Sequence, residues 1–277
     1  MQTLVPGPHR RCRHGWLAPT IDVVNGESGF SDHFSGVAAQ YAASRPGYPP
    51  ELFDWLESLT SGHALAWDCG TGSGQTAVRL AEHFDRVVAS DASEQQLAHA
   101  VRVSNVDYRC FAAEEADLLD DSVDLITVAQ ALHWFDLDRF YGEVRRVGRS
   151  SGVIAVWTYG RNFVDDAPEV TAIIENFHDE IVGPYWPAGR EHVDSNYTDL
   201  PFPFERVDAP AFVMEAQWTL DDLLAYLGTW SSSARFAAAT GSDPRELIAV
   251  PLAAAWGSPE RKRRVVWPLT VLAGRIR

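Results

Sequence analysis

The chain has 277 residues, of which 46% are hydrophobic and 22% charged, and its 23 basic and 38 acidic side chains give a formal net charge of −15. This length and apolar content suit a large core in one domain, or one domain with a cap, and no apolar run reaches the roughly 18 residues that a membrane-spanning helix needs. The acidic balance argues against a nucleic-acid partner, which is held by a basic stripe that neutralises phosphates.

The basic clusters HRRCRH (9–14) and ERKRR (260–264) lie at opposite ends and read as solvated surface. Cys12, Cys69 and Cys110 show no CxxC or Cys/His ligand spacing, so no metal site is expected, and their odd number fits a reducing compartment. The first thirty residues hold no apolar leader segment, which makes the expected location cytoplasmic, with no membrane partner.

Residues 1–30, broken by glycines and prolines, read as a loose arm. Residues 31–60 read as two helices: Phe34, Val37, Ala38 and Tyr41 recur at helical spacing up to SRPGYPP, and PPELFDWLESLT begins with proline in its first turn. Over 61–160 short apolar strands alternate with helices. The strands are ALAWDC (64–69), RVVAS (86–90), VDYRC (106–110), VDLITVAQ (123–130) and GVIAVWTYG (152–160). The helices carry Ala77, Leu80, Ala81 and Phe84 on one face, then EQQLAHAVR behind a Ser93–Gln96 capping box, then DLDRFYGEVRRV. This alternation predicts an α/β fold with a parallel sheet covered on both faces.

Residues 161–204 break the rhythm with the helical EVTAIIENFHDEIV and an aromatic, proline-rich stretch. They read as an inserted lid, with Phe163, Tyr185, Trp186, Tyr197, Phe202 and Phe204 as an apolar lining. Residues 205–277 complete the core through the strand AFVMEAQW (211–218), the helix LDDLLAYLGTW capped by Thr219, and the closing strand RRVVWPLTVLAGRI (263–276).

The turn after the first strand, Gly70-x-Gly72-x-Gly74, lets backbone N–H groups approach a ligand at a helix start. Its spacing differs from the G-x-G-x-x-G of pyrophosphate sites. Asp68, just before it, would repel a diphosphate and suit a ligand bearing ammonium and sulfonium charges. Asp91 ends the second strand, 21 residues past Gly70, where a carboxylate can accept from both hydroxyls of a ribose.

AWDCGTGSGQTAVRLAEHFDRVVASDASEQQL resembles the first two motifs of class I S-adenosylmethionine-dependent methyltransferases, and AAEEADLLDDSVDLITVAQALHWFD resembles the next two. FSGVAAQYAASRPGYP, AYLGTWSS and VVWPLTVLAGR resemble segments of the trans-aconitate methyltransferase branch, so the likeness spans about residues 32–275. It implies a Rossmann-like, doubly wound, seven-stranded and mostly parallel sheet, and S-adenosylmethionine as cofactor. By the same resemblance Asp68, Gly70, Thr71 and Gly72 surround the methionine portion, Asp91 holds the ribose and Ala92 lies beside the adenine. Ala113 and Glu114 border the adenine edge, and Ala129 and Gln130 lie under the sulfonium. Cys69 is assigned to packing, since nothing near it would generate a thiolate.

Methyl transfer from a sulfonium is an in-line displacement. A carboxylate acceptor needs no base, whereas a hydroxyl or amine needs its proton removed. The candidates for this chemistry lie in AQALHWFD, past the fourth strand: His133 as base or donor, and Trp134 as a wall or cation–π partner. Tyr41, Arg45 and Trp230 are further candidates for binding the acceptor. No N/D-P-P-Y/F run follows the fourth strand, which counts against methylation of nucleobase or glutamine nitrogens, and no cysteine there is placed to attack a pyrimidine. A small-molecule methyl acceptor with an oxygen as the attacking atom, carboxylate or hydroxyl, is the expectation. The competing readings are a cofactor-binding regulator or scaffold without methylation, and a nicotinamide-dependent oxidoreductase, which the glycine spacing and Asp68 disfavour.

Overall fold

The computed structural model describes residues 46–276, so the N-terminal arm, the first expected helix, Tyr41 and Arg45 lie outside the described residues. Strands β1 (Ala66–Cys69), β2 (Val87–Asp91), β3 (Val106–Cys110), β4 (Val123–Ala129) and β5 (Gly148–Thr158) run parallel in the spatial order β3-β2-β1-β4-β5. β1, β2 and β4 are apolar and buried nearly throughout, as strands covered on both faces must be. β6 is Phe163–Val164, β7 Glu205–Val207 and β8 Phe212–Trp218, and the last strand, β9, is Arg263–Arg275.

β9 serves two sheets. Its C-terminal half pairs antiparallel with β5, from Val153↔Arg275 to Thr158↔Thr270, and carries β7 on its other edge. With β7 the main sheet has the expected seven strands, all parallel except β9. The N-terminal half of β9 forms a smaller antiparallel sheet with β8 and β6, a departure from the single expected sheet. Pro268, with no N–H to give a ladder, sits at the hand-over between the two sheets.

Helix α1 (Pro50–Leu59) starts on a proline in its first turn and turns Leu52, Phe53 and Leu56 inward. α2 (Gln75–Leu80) follows the glycine turn and buries Thr76, Ala77 and Leu80. These two helices cover one face of the sheet, above Val153, Ala155 and Trp157. The opposite face is covered by α4 (Leu137–Val147), whose Phe140, Tyr141, Val144 and Val147 pack on Ile126, Val128, Ile154 and Val156. Between them in sequence, α3 (Glu94–Ala98) is shorter than EQQLAHAVR predicts. It buries only Leu97, and the chain leaves the helix so that the carbonyl of Val101 accepts from the Tyr108 hydroxyl at 2.8 Å.

Past β5, α5 (Pro168–Asn176) widens into a π-turn over Phe177–Ile181, closed by Val182 N donating to Phe177 O at 2.9 Å. α6 (Arg190–Asp194) follows, then α7 (Leu220–Gly228), α8 (Ser231–Thr240) and α9 (Ala249–Trp256) around the small sheet. Thr219 caps α7 as expected, in a reciprocal capping box with Asp222. The aromatic residues of 161–204 are not a uniform lining. Tyr197 and Phe204 pack into the core beneath α4, Trp186 stacks near Trp230 at 5.4 Å, and Tyr185 meets Phe236 at 5.0 Å. Phe163 is part-exposed on β6.

Candidate active site

The glycine turn joins β1 to α2 at the C-terminal edge of the sheet, where open α/β sheets bind ligands. Gly70, Gly72 and Gly74 all have positive φ (68°, 56° and 84°). They differ in what surrounds them. A Cβ on Gly70 would lie 2.7 Å from that of Ala131 and 3.2 Å from the Phe135 ring, and one on Gly74 would strike the Tyr108 ring. At Gly72 the nearest atom would be Gln96 Oε1 at 4.0 Å, so the turn presents bare backbone there and leaves room for a ligand.

Asp91, at the end of β2, closes this cradle. Its Oδ2 accepts from Gly72 N and its Oδ1 from Ser93 N, both at 2.9 Å. The second bond explains a difference from the predicted capping box. Ser93 does accept from Gln96 N at 3.3 Å, but its own N–H is taken by Asp91, leaving none for the Gln96 side chain. Each carboxylate oxygen keeps acceptor capacity beyond one N–H. Burial raises the Asp91 pKa above its ordinary value, opposed by these two hydrogen bonds.

Asp68 is 1% exposed at the heart of the site. The Thr127 hydroxyl donates to its Oδ1 at 2.9 Å and the Thr71 hydroxyl to its Oδ2 at 2.5 Å. Burial nevertheless pushes its pKa up to about 7, because two neutral donors do not replace the lost hydration of a carboxylate. A bound cation would favour the ionised form. Thr127 was not singled out in the sequence, although a lone hydroxyl in the apolar run VDLITVA marks it, and the pairing of β4 with β1 sets it against Asp68.

The other strand ends complete the rim. Ala113 is buried, and Glu114, 7% exposed, accepts from Asp136 N, the N-cap of α4, at 2.8 Å. Ala92 follows Asp91 directly. Ala129 ends β4, and Gln130 beyond it has φ +58°, a left-handed conformation costing roughly 1–2 kcal/mol for a non-glycine residue. Three bonds to β5 and the loop after it hold Gln130 there. Its N donates to Trp157 O at 3.0 Å, its Nε2 to Tyr159 O at 2.8 Å, and Thr158 Oγ1 donates to its Oε1 at 2.7 Å.

His133 and Trp134 lie in a short 3-10 turn past Gln130. The His133 Nδ1 is 2.7 Å from the hydroxyl of Tyr197, a residue 64 positions on, for which the sequence offered no pairing signal. Burial first, then the charges of His192 and Arg190, lower the His133 pKa to about 4, so the ring is neutral at physiological pH. Trp134 is 54% exposed and tilts on His133 at 4.6 Å between ring centroids. Trp230, by contrast, is 6% exposed and packed among Phe177, His178, Trp186 and Tyr226, with one side on a small cleft shared with Asn162 and His178. The structure thus gathers Asp68, Asp91 and the glycines at one edge and His133 and Trp134 beyond β4, with Trp230 in the packing around α8.

The site fits S-adenosylmethionine. An open stretch of glycine backbone, an acid at the end of β2 and a buried acid calling for a positive partner are what a nucleoside carrying an ammonium and a sulfonium requires. No group of three or more His, Cys, Asp or Glu among the described residues is arranged to hold a metal, and no helix among them is long and apolar enough to cross a membrane.

Comparison with known proteins agrees. Residues 67–156 match the family model of the methyltransferase domain. A Dictyostelium discoideum protein named for methyltransferase activity is 36% identical over 216 residues, 77% of this chain and 82% of that one. CRG1 of Saccharomyces cerevisiae, named as an S-adenosylmethionine-dependent methyltransferase, is 27% identical over 171 residues, 58% of this chain and 59% of its own. A solved structure from Anaeromyxobacter dehalogenans, described as a type II methyltransferase, shares 47% identity and superposes with a TM-score of 0.79 over 84% of this chain and 98% of that one. The chain belongs to the class I S-adenosylmethionine-dependent methyltransferases.

Proposed function

We propose that this methyltransferase acts on a small-molecule acceptor and that the attacking atom is an oxygen, of a carboxylate or a hydroxyl. The observation that carries the reading is His133, a neutral imidazole past the end of β4 with Tyr197 on its Nδ1. A neutral imidazole can hydrogen-bond an oxygen as donor or acceptor, and it adds no positive charge beside a sulfonium. The overall acidic charge and the absence of an N/D-P-P-Y/F run after β4 support a small molecule over a nucleic acid or an amide nitrogen.

In this reading Asp68, Gly70, Thr71 and Gly72 hold the methionine portion of the cofactor, Asp91 the ribose, and Ala92, Ala113 and Glu114 the adenine. Ala129 and Gln130 form the floor near the reacting centre. When bound, the cofactor supplies a methyl group activated by its sulfonium. The chain aligns the acceptor with that methyl and excludes water, the main demands of an in-line displacement. Gln130, pinned by three hydrogen bonds, gives the rigidity that alignment needs. His133 and Trp134 face the acceptor side, Tyr41 and Arg45 are candidates for it outside the described residues, and Trp230 serves the packing around α8.

The test is incubation of the protein with methyl-labelled cofactor and a small-molecule extract, followed by mild alkali. Label in one small product, released as volatile methanol by alkali, means a methyl ester. Alkali-stable label on an oxygen means an ether, the hydroxyl form of the same reading. Label found on nitrogen, or only in macromolecules, would sink it.

A further inference from the structure

We infer that Tyr197 fixes the His133 imidazole as the tautomer with its hydrogen on Nε2, so that His133 meets the acceptor as an N–H donor and not as a base. This rests on the placement of the acceptor beside His133 proposed above.

The environment of the phenolic oxygen decides between the tautomers. Tyr197 is 1% exposed, and its hydroxyl and His133 Nδ1 are 2.7 Å apart. One hydrogen lies between them, and two arrangements are possible. In the first the phenol donates to Nδ1, which leaves the imidazole hydrogen on Nε2. In the second Nδ1–H donates to the phenol, which leaves Nε2 bare as a base. The distance favours the first, since 2.7 Å is usual for an O–H donor and short for an N–H donor. Chemistry favours it too, because a phenol is the more acidic partner and an imidazole nitrogen the better acceptor.

The neighbours point the same way. Among the described residues the Tyr197 hydroxyl has one hydrogen-bond partner, His133 Nδ1. Nδ1 is therefore the well-formed destination for the phenol hydrogen. Thr158 gives its hydrogen elsewhere, to Gln130 Oε1 at 2.7 Å. Tyr197 is held at its place by backbone as well as packing. It and Asn196 both have left-handed φ (59° and 57°), and the turn is tied by Tyr197 N donating to His192 O at 2.8 Å. Arg190, Glu191 and His192, from the element packed against His133, are the charged or titratable groups facing the ring besides Tyr197. Their two potential cations oppose protonation of His133.

An imidazole so arranged cannot take a proton from a neutral hydroxyl at Nδ1, which is occupied, nor at Nε2, which already carries one. It can steady an acceptor oxygen that arrives ionised. Tyr197 is thus a positioning residue that selects among acceptors through His133.

The experiment is nitrogen NMR of the full-length protein labelled with ring-¹⁵N histidine, His133 being assigned by difference from His133→Gln. The expected result is an unprotonated Nδ1 and a hydrogen on Nε2, unchanged from pH 5.5 to 8. In Tyr197→Phe, which keeps the ring and removes the hydroxyl, loss of one neutral hydrogen bond should raise the Nδ1–H population about fivefold. An Nδ1–H tautomer in the wild type overturns the inference, and that spectrum decides even if the variant fails to fold. A folded Tyr197→Phe with the wild-type tautomer overturns it as well. Calorimetric binding of S-adenosylhomocysteine to the same samples tests the cofactor site separately. Lost binding with the expected tautomer would strike the cofactor reading and leave this one intact.

Discussion

The cofactor edge and the part of the molecule beyond β4 are built from different kinds of information. At the cofactor edge the partners are close in sequence or joined by adjacent strands: Thr71 with Asp68, Ser93 with Asp91, Gly72 with Asp91 across 19 residues. Beyond β4 they come from far along the chain. His133 finds Tyr197, Trp267 gives its indole N–H to Tyr226 at 2.9 Å, and Arg263 reaches back 97 residues to Asp166 at 2.8 Å. The first region is a local module repeated on a regular sheet. The second exists only after the small sheet and the inserted helices have packed.

The sharpest way to break the comparison is at the glycines, which share a backbone conformation but not an environment. Gly70→Ala combines a left-handed φ, roughly 1–2 kcal/mol, with overpacking against Ala131 and Phe135 of about 1–3 kcal/mol. S-adenosylhomocysteine affinity should fall by more than about a hundredfold, or the protein should lose that much stability. Gly72→Ala meets open space and carries the φ cost alone, about tenfold. Equal effects in isothermal titration would mean that the turn is not read through its packing at all.

Next in size is Asp91. Its replacement by Ala removes an acceptor from Gly72 N and Ser93 N as well as from the ribose, and each charge-assisted bond is worth roughly 1.5–3 kcal/mol. Affinity should drop at least tenfold and the melting temperature should fall too, because the same carboxylate holds the cradle together. Asp91→Asn keeps one carbonyl oxygen and should lie between. An Ala variant that binds like the wild type would remove Asp91 from the site.

These residues also show what was legible in the sequence. The strand–glycine–helix rhythm and the acids at two strand ends follow from patterns that act over a few residues or one βαβ unit, and the seven-stranded sheet from the resemblance to class I methyltransferases. The second half of the molecule does not. β9 reads as one closing strand, and nothing local says that Arg263–Leu269 belongs to one sheet and Thr270–Arg275 to another. Tyr197 reads as one aromatic among six in 161–204, because the pattern of a loop does not reveal which ring the tertiary fold will bury. The Gln96 half of the capping box follows from local propensity but does not form, because Asp91, near in space, takes the Ser93 N–H.

Asp68 and His133 make the comparison titratable. The Asp68 pKa, raised from 3.8 to about 7, means that the folded state holds a proton the unfolded chain releases, so its stabilising contribution is present below about pH 4 and lost as pH rises to about 7. The His133 pKa, lowered from 6.5 to about 4, works the other way. Its contribution is present above about pH 6.5 and lost as pH falls to about 4. Between those values the two slopes oppose each other. Asp68→Asn should therefore give melting temperatures that climb more steeply from pH 4.5 to 6.5 than those of the wild type. Cofactor binding should sense Asp68 too. A cation selects the carboxylate, so wild-type affinity for S-adenosylmethionine should rise up to about tenfold per pH unit below 7. A flat binding profile from pH 5.5 to 7 would show that the buried acid is already ionised or is remote from the charge.

The smallest effect is expected at Trp134, where the two regions meet. Its indole is about half exposed and leans on His133, so truncation opens no cavity and the fold should lose less than about 1 kcal/mol. If the ring serves the cation, an exposed cation–π contact of about 0.5–1 kcal/mol predicts a two- to fivefold weaker affinity for S-adenosylmethionine in Trp134→Ala. S-adenosylhomocysteine, which lacks the sulfonium charge, should bind the variant and the wild type alike. Equal losses for both ligands would make Trp134 a wall for the nucleoside or methionine portion. No loss for either would assign it to the acceptor side alone, with His133, and the place to look would then be the KM for the acceptor.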